Sequence, residues 1–167
     1  SVSGTSATAI TEMRAVSQGS LIISKYSYVD IVSGSQPIAY WKLDESSGAS
    51  VAENYGTIGT AVDGTYENFV TTGEGGILQE VGGFAAEFDG VNDYVSIPAN
   101  DLIGNNPLAA GGTSRGGYPN KSVEIWFQAY ATSGRRTTYW QGGGTRGLNI
   151  YILDGILYVY GYNNGGG

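Results

Sequence analysis

The sequence predicts an all-β protein, an antiparallel two-sheet sandwich of the jelly-roll type. Apolar residues make up 41% of the 167 residues, which is enough for one domain with a core. The 13 tyrosines stand mostly among Val, Ile, Ser and Thr, a mixture that favours pleated strands, and the 28 glycines suit tight turns. No segment sustains the helical apolar period. Many short strands are therefore expected, and a two-sheet body protects their edges.

The first 36 residues are predicted to form an extended arm that carries a strand. Residues 1–20 are rich in Ser, Thr and Ala and show little periodicity. Residues 21–32 (LIISKYSYVDIV) are β-branched and aromatic, as in one or two strands. The break at residues 33–37 (SGSQP) ends this pattern. We expect the arm to anchor the body to neighbouring subunits of an oligomer.

Residues 37–167 are predicted to form the β body. Its predicted strands are 38–43, 64–66, 84–88, 94–97, 122–130, 137–141, 148–153 and 156–162. Residues 94–97 are expected to pair back on residues 84–88, and Asp154-Gly155 to close a hairpin. Residues 122–130 (SVEIWFQAY) carry large apolar groups on both faces, which places them centrally between two layers. The expected core includes Trp41, Phe88, Tyr94 and Trp126.

The charges divide the chain into an acidic part and a basic part. Residues 42–101 hold eleven acidic residues and one basic residue, whereas residues 102–167 hold five basic and two acidic ones. Nucleic acid is not expected as a partner, because the chain lacks the basic stripe that phosphate binding needs. The acidic part suits calcium or a basic protein surface. The absence of Cys and His removes disulfides, thiolate metal sites and the usual general base, and no apolar stretch approaches the roughly 20 residues of a membrane span.

Several motifs of the body resemble one known family. They are residues 37–48 (PIAYWKLDESSG), 64–66 (GTY), 88–98 (FDGVNDYVSIP), 122–127 (SVEIWF) and the hairpin at 147–157. In order and spacing they resemble the concanavalin A-like, laminin-G-like jelly rolls of bacterial and phage surface proteins. That family includes lectins, adhesion modules, glycanase accessory domains and phage proteins, so the fold does not fix the activity. Its members continue with further strands, so C-terminal strands are expected to be missing here or to be supplied by another chain.

The resemblance implies a non-catalytic binding or structural module that is extracellular or on a virion surface. Residues 13–18 (MRAVSQ), followed by an apolar run, resemble the start of phage virion proteins with such jelly rolls, the alternative being a generic linker. We expect a phage decoration, fibre or tail appendage protein that serves adhesion to host-surface glycans or particle assembly. The alternative is a secreted bacterial carbohydrate-binding module or adhesin domain, and a glycoside hydrolase is the third interpretation.

An aromatic and polar cluster is the predicted glycan site. Aromatic rings stack on the apolar faces of sugars, while Gln and Arg side chains donate hydrogen bonds to hydroxyl groups. The residues predicted to form this site are Tyr118, Arg136, Tyr139, Trp140, Gln141 and Arg146. The alternative is that Trp140 packs in the core. A separate alternating set suits either a protein interface or cross-strand packing: Tyr151, Tyr158, Tyr160 and Tyr162.

A turn rich in oxygen ligands is the candidate site for a structural calcium ion. Calcium takes about six to eight oxygen ligands, often from loops. The predicted ligands are Asp89, Asn92 and Asp93, with Asp44 completing the shell from another loop and Glu45 or Asp63 as alternatives to it. The competing interpretation is that these side chains cap their own turn.

Two catalytic patterns are matched only superficially. Residues 142–147 (GGGTRG) fit the dinucleotide pattern G-x-G-x-x-G, but a strand is expected after them where that site needs a helix. Retaining glycosidases need two carboxylates about 5 Å apart. The positions two and four residues from Glu124 hold no acid, and the adjacent Asp44 and Glu45 would point to opposite faces of a strand. We therefore predict no catalytic residues and no enzyme.

Overall fold

A computed structural model gives the protein as mostly β, with one short α-helix. The structure describes residues 10–15, 21–25, 27–76, 83–104, 121–142 and 146–163. Over these residues the strands form small antiparallel sheets of two or three strands, none of them closed. The predicted all-β class is thus confirmed at this level. The chain divides into two compact units, Ser1–Phe88 with Tyr94–Ile97, and Asp89–Asp93 with Pro98–Gly167.

The N-terminal segment contains two paired strands and a helix. β1 (Ile10–Ala15) pairs antiparallel with β2 (Leu21–Lys25). The strand predicted over residues 21–32 is confirmed for its first part. Its second part is wrong, because α1 (Tyr28–Gly34) is a helix.

A capping box at Ser27 starts this helix and explains the wrong prediction. The Ser27 hydroxyl accepts a hydrogen bond from the Asp30 amide at 3.1 Å, and the Asp30 carboxylate accepts one from the Ser27 amide at 3.0 Å. These bonds satisfy two amides that the first helical turn leaves without partners. The bond from the Ser27 amide is also the main cause that holds the pKa of Asp30 below its usual value. The capping hydrogen bonds thus favour a helix in a segment whose residue types favour a strand.

The first unit contains two further sheets. Its elements are β3 (Val51–Ala52), the short 3-10 helix η1 (Gly59–Val62), β4 (Gly64–Glu67), β5 (Thr71–Gly75), β6 (Phe84–Glu87) and β7 (Tyr94–Ser96). One sheet has the order β3–β4–β7, and the other pairs β5 with β6. Three of these strands, β4, β6 and β7, lie where the sequence predicts them. The buried residues among those described in this unit are Ala52, Asn54, Val62, Gly64, Tyr66 and Thr72.

The expected pairing of residues 94–97 with residues 84–88 is wrong. β7 pairs with β4, and β6 pairs with β5. Gly64 in β4 allows β7 to approach closely, because a Cβ atom at this position would collide with the side chains of Val95 and Ile97. The chain therefore changes sheets between β6 and β7 instead of turning back on itself.

The strand predicted at residues 38–43 is also wrong, since it is reduced to one bridge between Trp41 and Asn54. Leu43 has a φ of +56°, which no strand residue adopts. The indole nitrogen of Trp41 donates a hydrogen bond to the Val62 carbonyl at 2.8 Å. Trp41 is half-buried, so it lies at the margin of the core that it was expected to fill.

Buried Asn54 holds the polar interior of the first unit together. Its Oδ1 atom accepts hydrogen bonds from the amides of Tyr40 at 2.7 Å and Gly56 at 3.2 Å. Its Nδ2 atom donates to the Gly59 carbonyl at 2.8 Å, and its own amide donates to Asp63 Oδ1 at 2.9 Å. One side chain thus replaces the ladder hydrogen bonds that these irregular segments lack.

A second buried hydrogen bond joins Glu45 to Tyr66. The Glu45 carboxylate accepts hydrogen bonds from the Tyr66 hydroxyl at 2.6 Å and from the Glu53 amide at 2.8 Å. Burial first, and then the bond to Glu45, raise the pKa of Tyr66 well above its ordinary value of 10.0. The hydroxyl therefore stays protonated throughout the neutral range.

The second unit is built on one antiparallel sheet. Its strands are β8 (Arg135–Gly142), β9 (Arg146–Leu153) and β10 (Ile156–Asn163), in the order β8–β9–β10. The strands predicted at residues 137–141, 148–153 and 156–162, and the hairpin between the last two, are confirmed. Asp154 and Gly155 have φ values of +48° and +84°, and two consecutive positive φ values are the mark of the two-residue turn that suits strand twist.

The central strand predicted at residues 122–130 is not formed. Residues 121–129 have no ladder partner among the described residues, so no sheet buries their two apolar faces. Trp126 is accordingly 60% exposed. Phe88 and Tyr94 are also exposed, and the expectation that these three side chains fill the core is therefore wrong.

Replacing Asn54 with alanine is expected to destabilise the protein by on the order of 3 kcal/mol, because the partly buried amides of Tyr40 and Gly56 and the Gly59 carbonyl lose a hydrogen-bond partner. The free energy of unfolding in urea measures this loss. Thr60→Ala, an exposed change on the neighbouring η1, should stay within about 0.5 kcal/mol of the wild type. Equal losses in both variants would contradict the role given to Asn54.

Replacing Tyr66 with phenylalanine is expected to flatten the loss of stability at alkaline pH. The pKa of Tyr66 is raised in the folded state, so its contribution is complete below 10.0, the value in the unfolded chain, and is lost as the pH rises above it. Wild-type unfolding free energy should therefore fall more steeply than that of Tyr66→Phe above about pH 10. Tyr130→Phe, which changes an exposed ring, should follow the wild type.

Candidate functional site

The β8–β9–β10 sheet has one face that is rich in aromatic rings. Antiparallel register arranges its side chains in rows across the three strands. One row consists of Thr137, Tyr151 and Tyr158, and another of Trp140, Asn149 and Tyr160. Arg135 lies beside the first of these rows. We call this surface the aromatic face and define it by Arg135, Trp140, Asn149, Tyr151, Tyr158 and Tyr160.

A β-bulge in β8 places Trp140 on this face. In a regular strand only residues an even number of positions apart share a face, yet Thr137 and Trp140 do so. The register shifts between Thr137 and Tyr139, where one extra residue reverses the alternation that follows. The hydroxyl of that residue, Thr138, donates a hydrogen bond to the Ile150 carbonyl at 3.0 Å.

Stacked rings form one end of the aromatic face. The ring centroids of Tyr151 and Tyr158 are 5.2 Å apart, and their planes differ by 10°. The guanidinium carbon of Arg135 lies 4.2 Å from the centroid of the Tyr151 ring, within cation–π range. This end is therefore a flat apolar surface with a positive charge on it.

The other end of the aromatic face centres on Trp140. This side chain is 71% exposed although it stands within a paired strand, so the alternative that it packs in the core is wrong. Tyr160 is exposed in the same row. Between them, the Oδ1 atom of Asn149 is shielded from solvent and has no hydrogen-bond partner among the described residues. The row thus combines two exposed rings with an acceptor atom that lacks a hydrogen bond.

Tyr139 and Gln141 lie on the opposite face of the sheet from Trp140. The Tyr139 hydroxyl donates to Gln141 Oε1 at 2.8 Å, and Lys121 Nζ also donates to that oxygen. Lys121 Nζ and Gln141 Nε2 both donate to the Ile103 carbonyl. Burial lowers the pKa of Lys121 and raises that of Tyr139. These groups tie segments of the second unit together.

The structure therefore separates the residues predicted to bind glycan. Arg136 lies on the opposite face and donates a hydrogen bond to the Gly90 carbonyl at 2.9 Å. Tyr118 lies outside the described residues, and only the backbone of Arg146 is described, at the start of β9. Of the predicted set, Trp140 alone among the described side chains belongs to the aromatic face.

The turn predicted to bind calcium is closed by its own side chains. Asp89 Oδ1 accepts hydrogen bonds from the amides of Val91 at 2.7 Å and Asn92 at 3.3 Å. Asp93 Oδ2 accepts one from the Asp89 amide at 3.0 Å. The bond from Val91 is the main cause that lowers the pKa of Asp89. Arg136, bonded to the same turn, adds positive charge, so this geometry supports the capping interpretation.

Asp44, the fourth predicted calcium ligand, belongs to the first unit and forms an ion pair with Lys42 at 3.0 Å. Its alternatives Glu45 and Asp63 both accept hydrogen bonds from backbone amides. No group of three or more Asp or Glu side chains arranged to hold a metal ion occurs among the described residues. Calcium binding at the turn stays a prediction.

The structure also locates the residues of the two superficial catalytic patterns. The glycine pattern of residues 142–147 leads into a strand, as expected, because β9 begins at Arg146. Glu124 Oε1 accepts a hydrogen bond from the indole nitrogen of Trp126 at 2.9 Å.

Sequence reasoning missed that the hairpin tyrosines, Asn149 and Trp140 form one surface. The signal was present in the Asp154-Gly155 turn. A two-residue turn fixes the register, so Tyr151 must face Tyr158, and Asn149 must face Tyr160. The bulge in β8 leaves no comparable signature, and the place of Trp140 could not be read from alternation.

Comparisons with known proteins give no relative on which a function can be based, so the fold and the aromatic face are the basis for one. No family model, no curated protein and no solved structure matches the chain. Among the described residues, no helix combines the length and the apolar character needed to cross a membrane.

Proposed function

We propose that the protein is a non-catalytic module that binds glycans through the aromatic face. The observation that carries this proposal is the row of Trp140, Asn149 and Tyr160, in which two exposed rings flank an unpaired acceptor. Folding alone does not favour a 71% exposed tryptophan on a paired strand. Clustered exposed apolar groups on a soluble surface are typical of binding sites.

The chemistry of the aromatic face matches that of a sugar chain. A sugar ring has an apolar face of C–H groups and an edge of hydroxyl groups. The rings of Trp140 and Tyr160 can stack on the former, and the partly exposed side chain of Asn149 between them can bond to the latter. Because the side chains stand on paired strands, much of the site exists before the ligand arrives.

The proposal includes the location of the protein, which is outside a cell or on the surface of a phage particle. Its support is the resemblance of residues 37–162 to concanavalin A-like jelly rolls and of residues 13–18 to phage virion proteins. The closed jelly-roll body, the anchoring role of residues 1–36 and the oligomer belong to the same proposal. A secreted bacterial carbohydrate-binding module or adhesin domain is the alternative, and the glycan site suits it equally.

Particle assembly is a second candidate function, which the exposed edge of the sheet favours. β10 is the outer strand of its sheet in the described part of the chain and contains no charged residue. Ile156, Leu157 and Val159 on it are all more than half exposed. Uncharged outer strands readily pair with strands of other chains.

Replacing Trp140 with alanine is expected to weaken glycan binding about tenfold or more, which equals a loss of about 1.4 kcal/mol. The ring supplies the largest stacking surface of the aromatic face, and it is 71% exposed, so its loss is expected to affect stability little. Binding is measured on a glycan array and then by calorimetry with a glycan that the array identifies.

Trp126→Ala is the matched control for this change. It removes an indole that is 60% exposed, against 71% for Trp140, from a segment outside the strands of the sheet. Its binding should equal that of the wild type, and the melting temperatures should show that both variants fold. The absence of glycan binding by the wild type would refute the proposed function.

Calcium at the Asp89–Asp93 turn is expected to raise the melting temperature if the ion binds there. An ion that binds only the folded state stabilises it by mass action, so a chelator should lower Tm and added calcium should restore it. The response should be absent in Asp93→Asn, which removes one carboxylate. An unchanged Tm of the wild type in chelator would refute calcium binding and leave turn capping.

A further inference from the structure

We infer that the glycan recognised by the aromatic face carries an oxyanion, a carboxylate or a sulfate group, which Arg135 binds. This inference rests on the proposed function and names the ligand class of the same site. Its basis is the position of Arg135 and the local charge of the sheet.

Arg135 stands at the end of the aromatic face without a carboxylate partner among the described residues. Its interaction there is with the ring of Tyr151, at 4.2 Å from the centroid. Asp154, which follows Leu153, the cross-strand partner of Arg135, accepts a hydrogen bond from the Gly134 amide at 2.8 Å through Oδ1. A guanidinium group offers five N–H donors in a planar fork that fits two oxygens of a carboxylate or sulfate. Stacking on the ring holds the fork in place and leaves its donors available.

The charge of the sheet supports an anionic ligand. The whole chain has a formal net charge of -7. Residues 135–163, which include the strands β8, β9 and β10, instead contain three arginines and one aspartate. Arg136 lies on the opposite face, bonded to the Gly90 carbonyl, so among the described side chains Arg135 supplies the positive charge of the aromatic face. This charge attracts anions to the aromatic face of an otherwise acidic protein.

The two kinds of contact lie in neighbouring rows of the aromatic face. On β9, Asn149, in the row of Trp140, is two positions from Tyr151, whose ring the Arg135 guanidinium covers, which corresponds to roughly 7 Å along the strand. A ligand can therefore stack a sugar ring at Trp140 while its charged group meets Arg135.

The test probes an array of neutral, carboxylated and sulfated glycans with the intact chain and with three variants. Arg135→Gln removes the charge, Arg135→Lys keeps the charge but not the fork, and Lys121→Gln removes one charge from the opposite face of the sheet. We expect the wild type to prefer carboxylated or sulfated glycans over their neutral counterparts by about tenfold. Arg135→Gln should abolish this preference, Arg135→Lys should reduce it, and Lys121→Gln should retain it.

The outcomes separate this inference from the proposed function. Preference for carboxylated glycans or for sulfated glycans supports the inference and identifies the source of the oxyanion. Binding of neutral glycans with equal affinity, lost in Trp140→Ala, overturns the inference and leaves the proposed function. An equal loss of preference in Arg135→Gln and Lys121→Gln overturns it too, because general charge would then explain the binding. No binding to any glycan overturns both.

Discussion

The register of the C-terminal hairpin is the constraint on which the candidate site depends. Asp154 and Gly155 both adopt left-handed backbone conformations, as the two central residues of this type of two-residue turn must. With the turn fixed, each residue of β9 has one possible partner on β10. The stacking of Tyr151 on Tyr158 then follows from the backbone, and a shift by one residue would send all these rings to the other face.

The two units satisfy their backbone hydrogen-bonding groups through different interactions. The C-terminal sheet satisfies its backbone through long ladders of regular hydrogen bonds. The first unit has short strands, and the side chains of buried Asn54 and partly buried Glu45 replace the missing ladder bonds. Such side chains must be satisfied completely, because a buried polar group without a partner is costly. This difference explains why the first unit depends on a few single residues.

Whether a structural feature of this protein can be predicted from the sequence depends on how far apart in sequence the interacting residues are. The hairpin at Asp154 was predictable because its signal is local, and so were the strands β4, β6 and β8. The pairing of β7 with β4 was not, because it depends on the absence of a side chain at Gly64, distant in sequence. Residues 122–130 alternate as a strand does, but alternation does not supply a hydrogen-bonding partner. At the site, Trp140 was predicted, whereas its neighbours were assigned by sequence proximity and not by register.

The bulge at Thr138 has a consequence for how this surface could diverge among relatives. Deleting that one residue would restore regular alternation in β8 and leave Trp140 opposite Asn149, because Trp140 would then stand two positions after Thr137. Drawing Thr138 into the ladder at the same chain length would instead send Trp140 to the opposite face of the sheet. The aromatic face is therefore compatible with two lengths of β8, with the bulge in the longer one and without it in the shorter one.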